Sequence, residues 1–201
     1  MIKKKFLVGI AGVAAAVVIS GTAIAGSYSS FISTDAKNNS FKTGTIDIEN
    51  NENGFKNVTS WDGSQKTKNV QITNKSRSPA LIRVTVFPRW VNEDGTPFAG
   101  DTSIVTINYA KDTKWVDGKD GYYYYNMIVP TNENTDSIIE SVSAKVPDNL
   151  AARYKGKKLM VDVKSEAVLA GKDADGKGVY THTWSISDQG IKGMLNKLSG
   201  I

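Results

Sequence analysis

The chain has 201 residues, enough for one domain with a sizeable core, and it contains no cysteine, which excludes disulfides and thiolate metal sites. The formal net charge is +5, but three of the lysines lie at positions 3–5. The other 22 basic and 20 acidic residues nearly balance, and no basic cluster is interleaved with aromatic residues, so we expect no nucleic-acid partner.

The chain begins with the three-part pattern of a secretory signal peptide. Lysines at positions 3–5 form a positive region, residues 6–19 are apolar and uncharged, and Ala23 and Ala25 are the small residues before Gly26. We therefore expect a signal peptidase to cut after Ala25, which predicts a secreted protein that contacts a membrane only before cleavage. An uncleaved anchor is the alternative, because the apolar run is nearly long enough to cross a bilayer, but no charged stop-transfer flank follows it.

The segment after the cut, residues 26–40, is rich in serine, threonine, asparagine and aspartate. Its large apolar residues are Tyr28, Phe31 and Ile32. Cleavage would free this segment as an N-terminal arm, a candidate donor strand ahead of the folded domain, which we place at residues 41–201.

Short alternating segments dominate the domain. Strands are predicted where apolar and polar residues alternate, or where β-branched and aromatic residues cluster, and turns where Asn, Asp and Gly cluster. Residues 50–54, 115–121 and 173–178 are predicted turns. The predicted strands are residues 41–48, 55–61, 68–74, 80–90, 103–109, 122–129, 137–146, 158–169 and 179–186.

The strongest predicted strand is residues 80–90. Ile82, Val84 and Val86 share one of its faces, and β-branched residues suit a pleated surface. Pro88 lacks a backbone N–H, so it is expected at a sheet edge or at the end of the strand.

Helix signals are few. Asp148 is a candidate N-cap for a short helix over residues 149–154, and Ser187 or Asp188 can start a C-terminal helix. Regular crossover helices are missing, so we predict an all-β fold: an antiparallel β-sandwich, jelly-roll or Ig-like, with one or two short helices. The apolar face of the C-terminal helix has helical spacing and consists of Ile191, Met194, Leu195 and Leu198.

The residues that catalysis or metal binding needs are sparse. His182 is the only histidine, which excludes a two-histidine metalloprotease helix, and no GxSxG motif supports the Ser-His-Asp triad that stays formally open. Asp173, Asp175 and Gly176 resemble the start of a calcium loop but lack its later acidic ligands, so a turn is favoured. We expect no catalytic residue, no metal, no cofactor and no enzymatic activity.

Four consecutive tyrosines form an aromatic strand. Successive side chains of a strand alternate between its faces, so two tyrosines are expected in the core and two on the outside. The outward pair would suit a subunit interface or a ligand, because tyrosine is common in both. The four residues are Tyr122, Tyr123, Tyr124 and Tyr125.

These features together resemble the TasA/camelysin group of exported biofilm-matrix fibre proteins. The resemblance is closest to the clostridial pilin-like surface adhesins of the BsaA type, which an alternate signal peptidase cuts. Besides the signal, it extends loosely over the chain and rests on Phe31, Asn39, Ser40, Phe41, Gly44, Ile46, Ile48, Asn74, Arg83, Val84, Trp90, Gly121, the four tyrosines and residues 163–167.

The resemblance implies a structural role and a partner. Proteins of this kind are cut, secreted to the cell surface or biofilm matrix of a Gram-positive bacterium, and assemble head to tail as homopolymers, with an anchoring or minor subunit as a further partner. The implied assembly is donor-strand exchange, in which the freed arm completes the sheet of a neighbour. In that case Tyr28, Phe31 and Ile32 supply the side chains that fill the neighbour's pockets.

Two other functions stay open from the residues alone. A monomeric β-sandwich adhesin that binds glycan or a host or matrix protein is suggested by the tyrosines and by Trp61, Trp90, Trp115 and Trp184. A secreted hydrolase would depend on His182. Camelysin has been labelled a protease, but no residue of this sequence supports that activity.

Overall fold

Two antiparallel β-sheets face each other across a common core in the computed structural model, which describes residues 32–36, 46–54 and 61–201. Within these ranges one sheet has six strands and the other has four. The larger sheet runs β1 (Ile32–Ala36), β10 (Lys158–Leu169), β4 (Ala80–Val91), β8 (Tyr123–Tyr125) and β7 (Trp115–Asp117), with β5 (Pro97–Phe98) also on β4. The smaller sheet runs β2 (Ile48–Gly54), β3 (Lys66–Asn74), β9 (Ile139–Ala144) and β6 (Val105–Tyr109).

Alternate side chains of both sheets fill the space between them. Burying one Val or Ile side chain stabilises a fold by about 1.5–3 kcal/mol, so this layer is the main source of stability. It confirms the predicted antiparallel β-sandwich. The inward residues with almost no exposed surface include Val70, Ile72, Ile82, Val84, Val142, Val161 and Val163.

A second apolar cluster covers the outer face of the six-stranded sheet. The C-terminal helix α2 (Gln189–Ser199) packs there, as its apolar face predicted, and Ile191 and Leu195 are buried. Leu81 of β4, Val168 of β10 and the ring of Tyr124 lie beneath it. The larger sheet is therefore buried on both faces at this end.

The predicted strand over residues 179–186 is wrong. Val179–His182 forms a 3-10 helix, and the backbone N–H groups of Thr183 and Trp184 both donate to the carbonyl of Tyr180. Two buried aromatic residues four positions apart, Tyr180 and Trp184, then lie on one side of the turn and contact the second cluster. The alternation in this segment reflects a half-exposed turn against the sheet and not a pleated strand.

Two of the predicted turns need correction. Residues 50–54, predicted as a turn, belong to β2, because main-chain pairing with β3 overrides the polar composition. Residues 115–117 are strand β7, which pairs with β8, so only residues 118–121 form the turn. Most of the predicted strand over residues 55–61 lies outside the described residues.

Pro88 lies inside β4 at a position where the sheet has a gap. Ala80 and Val129 exchange two backbone hydrogen bonds, so even-numbered residues of β4 direct their backbone groups away from β10. Among the described strands, β8 pairs with residues 83–84 on that side and β5 with residues 90–91, which leaves the nitrogen of Pro88 facing neither. The missing N–H therefore removes no ladder bond, in agreement with the edge-like position expected.

Helix α2 has a well-formed cap at each end. Asp188 Oδ1 accepts a hydrogen bond from the backbone N–H of Ile191 at 2.8 Å, and Gly200 closes the helix at φ 77°. Asp148, by contrast, is not a side-chain cap: it begins a 3-10 turn, Asp148–Leu150, which precedes the four-residue helix α1 (Ala151–Tyr154).

Replacing Asp188 with alanine is expected to lower the free energy of unfolding by about 1 kcal/mol, because one N-terminal amide loses its acceptor. Equilibrium urea denaturation measures the change. The neighbouring exposed Gln189→Ala is the control, and it should change stability by less than about 0.5 kcal/mol. Equal effects of the two substitutions would contradict the capping role.

Candidate functional site

The candidate site is the outer edge of the six-stranded sheet, where β1 pairs with β10. The two strands are antiparallel, and their register runs from Ile32 opposite Val168 to Ala36 opposite Lys164. On its other side, β10 is paired with β4 along its full length. Strand β1 therefore comes from the N-terminal arm and completes the edge of a sheet that is otherwise built from the folded domain.

Two kinds of position alternate along this edge of β10. Ala170 N–H donates to the carbonyl of Pro79, so even-numbered residues of β10 direct their backbone groups towards β4. Odd-numbered residues then direct theirs towards β1, and the hydrogen-bonded pairs are Ser33 with Ala167 and Asp35 with Ser165. The side chains of Ser165 and Ala167 have no exposed surface. The acceptor edge is thus lined on its inner side by two small buried residues.

A side chain from the other sheet bonds to β10 just beyond the end of β1. Asn50 of β2 donates from Nδ2 to the carbonyl of Val163 at 2.8 Å, and the hydroxyl of Ser165 donates to Asn50 Oδ1. The amide therefore links the two sheets at the residue that follows the described end of β1 in the register.

The outer side of the same edge carries an aromatic and ionic cluster. Arg83 Nη2 lies 2.6 Å from Glu166 Oε2, and both side chains are about nine-tenths buried. The guanidinium carbon stands 3.8 Å from the ring centroid of Tyr122 and 4.8 Å from that of Trp184, within cation–π distance. Glu166 lies opposite Thr34 of β1, so this cluster fixes the part of β10 that receives the arm.

The four tyrosines alternate as predicted, but neither pair lies free on the outside. Tyr123 and Tyr125 contact the core between the sheets, whereas Tyr122 and Tyr124 contact the cluster beneath helix α2. Burial, with a hydrogen bond to Asp120, raises the pKa of Tyr124 to about 12. Because the second apolar layer covers the outward face, these rings serve packing first.

The tryptophans are also largely buried. Trp90 and Trp184 expose 2% and 3% of their surface, Trp61 exposes 8%, and Trp115 is half-buried. Their rings contact neighbouring aromatic side chains, such as Trp61 and Tyr154 on either side of Trp90. Because these aromatic residues are largely buried, they do not support the adhesin alternative, which stays a prediction.

His182 and Asp173 form a surface pair. His182 Nε2 lies 2.7 Å from Asp173 Oδ2, while Asp173 Oδ1 accepts hydrogen bonds from the backbone N–H groups of Asp175 and Lys177. The Lys177 amide is the main reason why the pKa of Asp173 is below its usual value. The pair links the 3-10 helix to residues 173–178, which form the predicted turn with a hydrogen bond from the Gly176 N–H to the carbonyl of Asp173.

Several residues predicted for the site fall outside the described part of the chain. These are the cleavage residues Ala23, Ala25 and Gly26 and the arm residues Tyr28 and Phe31, whereas Ile32 is the first residue of β1. In the described ranges, no group of three His, Cys, Asp or Glu side chains is arranged to hold a metal ion. No helix in residues 32–36, 46–54 or 61–201 is long and apolar enough to cross a membrane.

Comparison with known proteins adds no relative. No protein-family model matches the chain, and no curated protein sequence matches it. The sheet edge formed by β1 and β10 is therefore the feature that points to a function.

Sequence patterns missed two residues of this edge. Asn50 lies in the run Asn-Asn-Glu-Asn, which has turn composition, so neither a strand nor an inward-pointing amide was expected there. Ser165 interrupts the apolar alternation of β10, with Val163 before it and Ala167 after it. A polar residue at an inward strand position is the signal that could have located it, because a buried hydroxyl needs a partner.

Proposed function

We propose that the protein is a structural subunit of an extracellular pilus-like fibre in a biofilm matrix, which polymerises by donor-strand exchange. Its N-terminal arm would leave its own β10 and pair with the β10 of the next copy. The observation that carries this proposal is that the edge strand β1 comes from the arm while its partner strand lies more than a hundred residues away in the chain. The signal-peptide pattern and the stated resemblance support the extracellular role.

The connection between β1 and the domain permits such an exchange. Strand β1 ends at Ala36, and residues 37–45 separate it from Ile46, the first described residue of the domain. At about 3.3–3.6 Å per residue, this segment can span up to about 30 Å when extended. Among the described strands, β1 pairs only with β10, so moving it to a neighbour breaks no other strand pair.

Hydrogen-bond energy alone does not strongly favour pairing of the arm with its own β10 over pairing with the β10 of a neighbour. The two bonded pairs on β10 correspond to on the order of four main-chain hydrogen bonds, each worth about 0.5–1.5 kcal/mol net. An identical arm from another copy would make the same bonds, so the protein concentration would decide between the two arrangements. High local concentration at a cell surface would favour the neighbour.

The geometry of the exchange would build a filament. Arm and acceptor edge are different surfaces of one molecule, so each contact is heterologous and leaves one free arm and one free edge. Such contacts continue without closure unless the rotation between copies happens to form a ring. An extended peptide added to a sheet edge is also an established mode of recognition, in which main-chain bonds supply affinity.

A cysteine pair tests the proposal, because the chain has no cysteine of its own. Ala36 and Lys164 are opposite each other in a pair without mutual hydrogen bonds, at the short Cα separation of about 4.5 Å that a disulfide tolerates. The double variant Ala36→Cys, Lys164→Cys of the mature chain is assembled, oxidised and run on a denaturing gel. We expect a ladder of covalent multimers.

The control moves one cysteine along the same strand. In Ala36→Cys, Lys158→Cys the second site lies six residues away, about 20 Å along β10, and no ladder should form. Deleting residues 27–39 from the mature chain should leave folded monomers without fibres. The proposal would be refuted if all of the oxidised double variant ran as a monomer on the gel even at high protein concentration. Fibres of normal yield after the deletion would also refute it.

A further inference from the structure

The sequence of the five described residues of β1 specifies their register on β10 only weakly. Their sequence is Ile-Ser-Thr-Asp-Ala, with one large apolar residue, and strands without a clear apolar face are prone to slip along their partner. A slip by two residues is the relevant error, because it returns every side chain to the same face of the sheet. Something other than β1 must therefore hold the register.

The end of β10 limits slippage in one direction. Strand β10 ends at Leu169, and the chain then turns through Gly171 at φ 140°. Displacing β1 by two residues in this direction would place Ile32 opposite Ala170, beyond the end of the strand. It would also break the pair between Asp35 and Ser165, because Asp35 would then lie opposite Ala167.

In the other direction, the next acceptor on this edge is already occupied. A slip of two residues would bring Asp35 opposite Val163, whose carbonyl is the next one directed at β1. That carbonyl accepts the hydrogen bond from Asn50 Nδ2, and the Ser165 hydroxyl orients the amide through Asn50 Oδ1. The inserted strand would have to displace this half-buried amide from both of its hydrogen bonds.

We propose that Asn50 is the register stop of the acceptor edge, and that it determines which residues of an inserted arm face β10. The amide occupies the carbonyl of Val163, which an inserted strand would need for its next hydrogen-bonded pair, and so blocks pairing through that carbonyl. Asn50 thereby sets the specificity of the edge for one alignment of the arm. For an arm that comes from a neighbour, this inference rests on the proposed function; for an arm of the same chain it does not.

The test compares two cysteine pairs in one background. Ala36→Cys with Lys164→Cys reports the observed register, and Ala36→Cys with Asp162→Cys reports the register slipped by two residues. Each pair is made in the Asn50→Leu variant, which keeps the size of the side chain but cannot donate to Val163. The slipped cross-link is expected to increase about tenfold over its yield with Asn50 present, because the Val163 carbonyl becomes available to β1.

Asn51→Leu is the matched control. Asn51 is the exposed neighbour on the opposite face of β2, and its amide bonds to Thr73 of its own sheet. The slipped cross-link should stay at its original yield in this variant. An Asn50→Leu protein that forms only the cross-link of the observed register would overturn the inference.

Ser165→Ala provides a second variant if Asn50→Leu does not fold. It removes only the hydroxyl that orients the amide, and a several-fold increase of the slipped cross-link is expected, whereas an unchanged yield argues against the stop. The size of the cross-linked product separates this inference from the proposed function. Cross-links confined to monomers would refute the fibre, while their register would still decide the role of Asn50.

Discussion

Replacing Arg83 with alanine is expected to lower the free energy of unfolding by about 3 kcal/mol, the lower end of the cost of breaking a buried ion pair, because the nearly buried carboxylate of Glu166 keeps only the half-exposed Lys164, at 3.6 Å, as a cation. In the native fold, Arg83 Nε and Nη2 donate to Glu166 Oε2 at 2.9 and 2.6 Å. The guanidinium also lies over the ring of Tyr122 at 3.8 Å. Equilibrium urea denaturation, with the midpoint and slope fitted together, measures the loss.

Arg89→Ala is the matched control for this substitution. Arg89 lies on the same strand and pairs with Asp162, also on β10, but its side chain is 45% exposed. Removing such a surface pair should cost about 0–1 kcal/mol. If Arg83→Ala costs no more than Arg89→Ala, burial of the pair has no energetic consequence and the argument is wrong.

The double variant Arg83→Met, Glu166→Leu separates pairing from packing. Replacing both charges with apolar side chains of similar volume removes the buried charge as well as its partner, and such replacements are often neutral or stabilising. We expect it to be more stable than Arg83→Ala by at least about 2 kcal/mol. A double variant as unstable as the single one would show that the aromatic contacts of Arg83 dominate.

Replacing Trp90 with alanine is expected to cost about 3–5 kcal/mol, because it leaves a large cavity at one end of the core. Trp90 is 2% exposed and its ring contacts Trp61 and Tyr154 edge to face, at centroid distances of 5.5 and 4.9 Å. Its Nε1 also donates to the carbonyl of Asp101 at 2.9 Å. The same denaturation experiment measures the loss.

Trp115 offers a control with the same kind of bond. Its Nε1 donates to the carbonyl of Asp136 at 2.9 Å, but the side chain is only half-buried, so Trp115→Ala should cost clearly less than Trp90→Ala.

Gly100→Ala probes the Trp90 site from the other side, since a Cβ there would lie 2.5 Å from the Trp90 ring, and overpacking of this kind costs about 1–3 kcal/mol. If neither Gly100→Ala nor Trp90→Ala lowered the free energy of unfolding, the side chain of Trp90 would not be tightly packed.

The elements that sequence patterns predicted well are those with a clear period. Strand β10 occupies residues 158–169 as predicted, and helix α2 begins after Asp188 with Ile191 and Leu195 buried. In both cases, the apolar residues that define the period of the segment are the same residues that the neighbouring layer buries. At residues 179–186 the alternation of apolar and polar residues predicts a strand, but the segment forms a 3-10 helix because this conformation packs Tyr180 and Trp184 against the second apolar cluster.

Only the arm of the candidate site, and not its acceptor edge, could be predicted from the sequence. The arm with Ile32 could be predicted, because a polar segment that follows a predicted cleavage site and precedes a strand-rich domain is a candidate donor strand. The acceptor edge could not, because Asn50, Val163 and Ser165 belong to strands of different sheets and no local pattern brings them together. Likewise, alternation predicted which tyrosines share a face, but not that helix α2 covers the outer one.

By itself, the sequence determined the fold class, because alternating apolar residues and frequent turns leave few arrangements other than an antiparallel sandwich. It also predicts an order of signal, arm and domain, because local composition carries that pattern. Only the tertiary structure decided that β1 joins β10, that Arg83 is buried against Glu166 and that Asn50 reaches Val163. Those contacts join residues far apart in the chain, and their energies depend on burial and direction, which appear only when the two sheets come together.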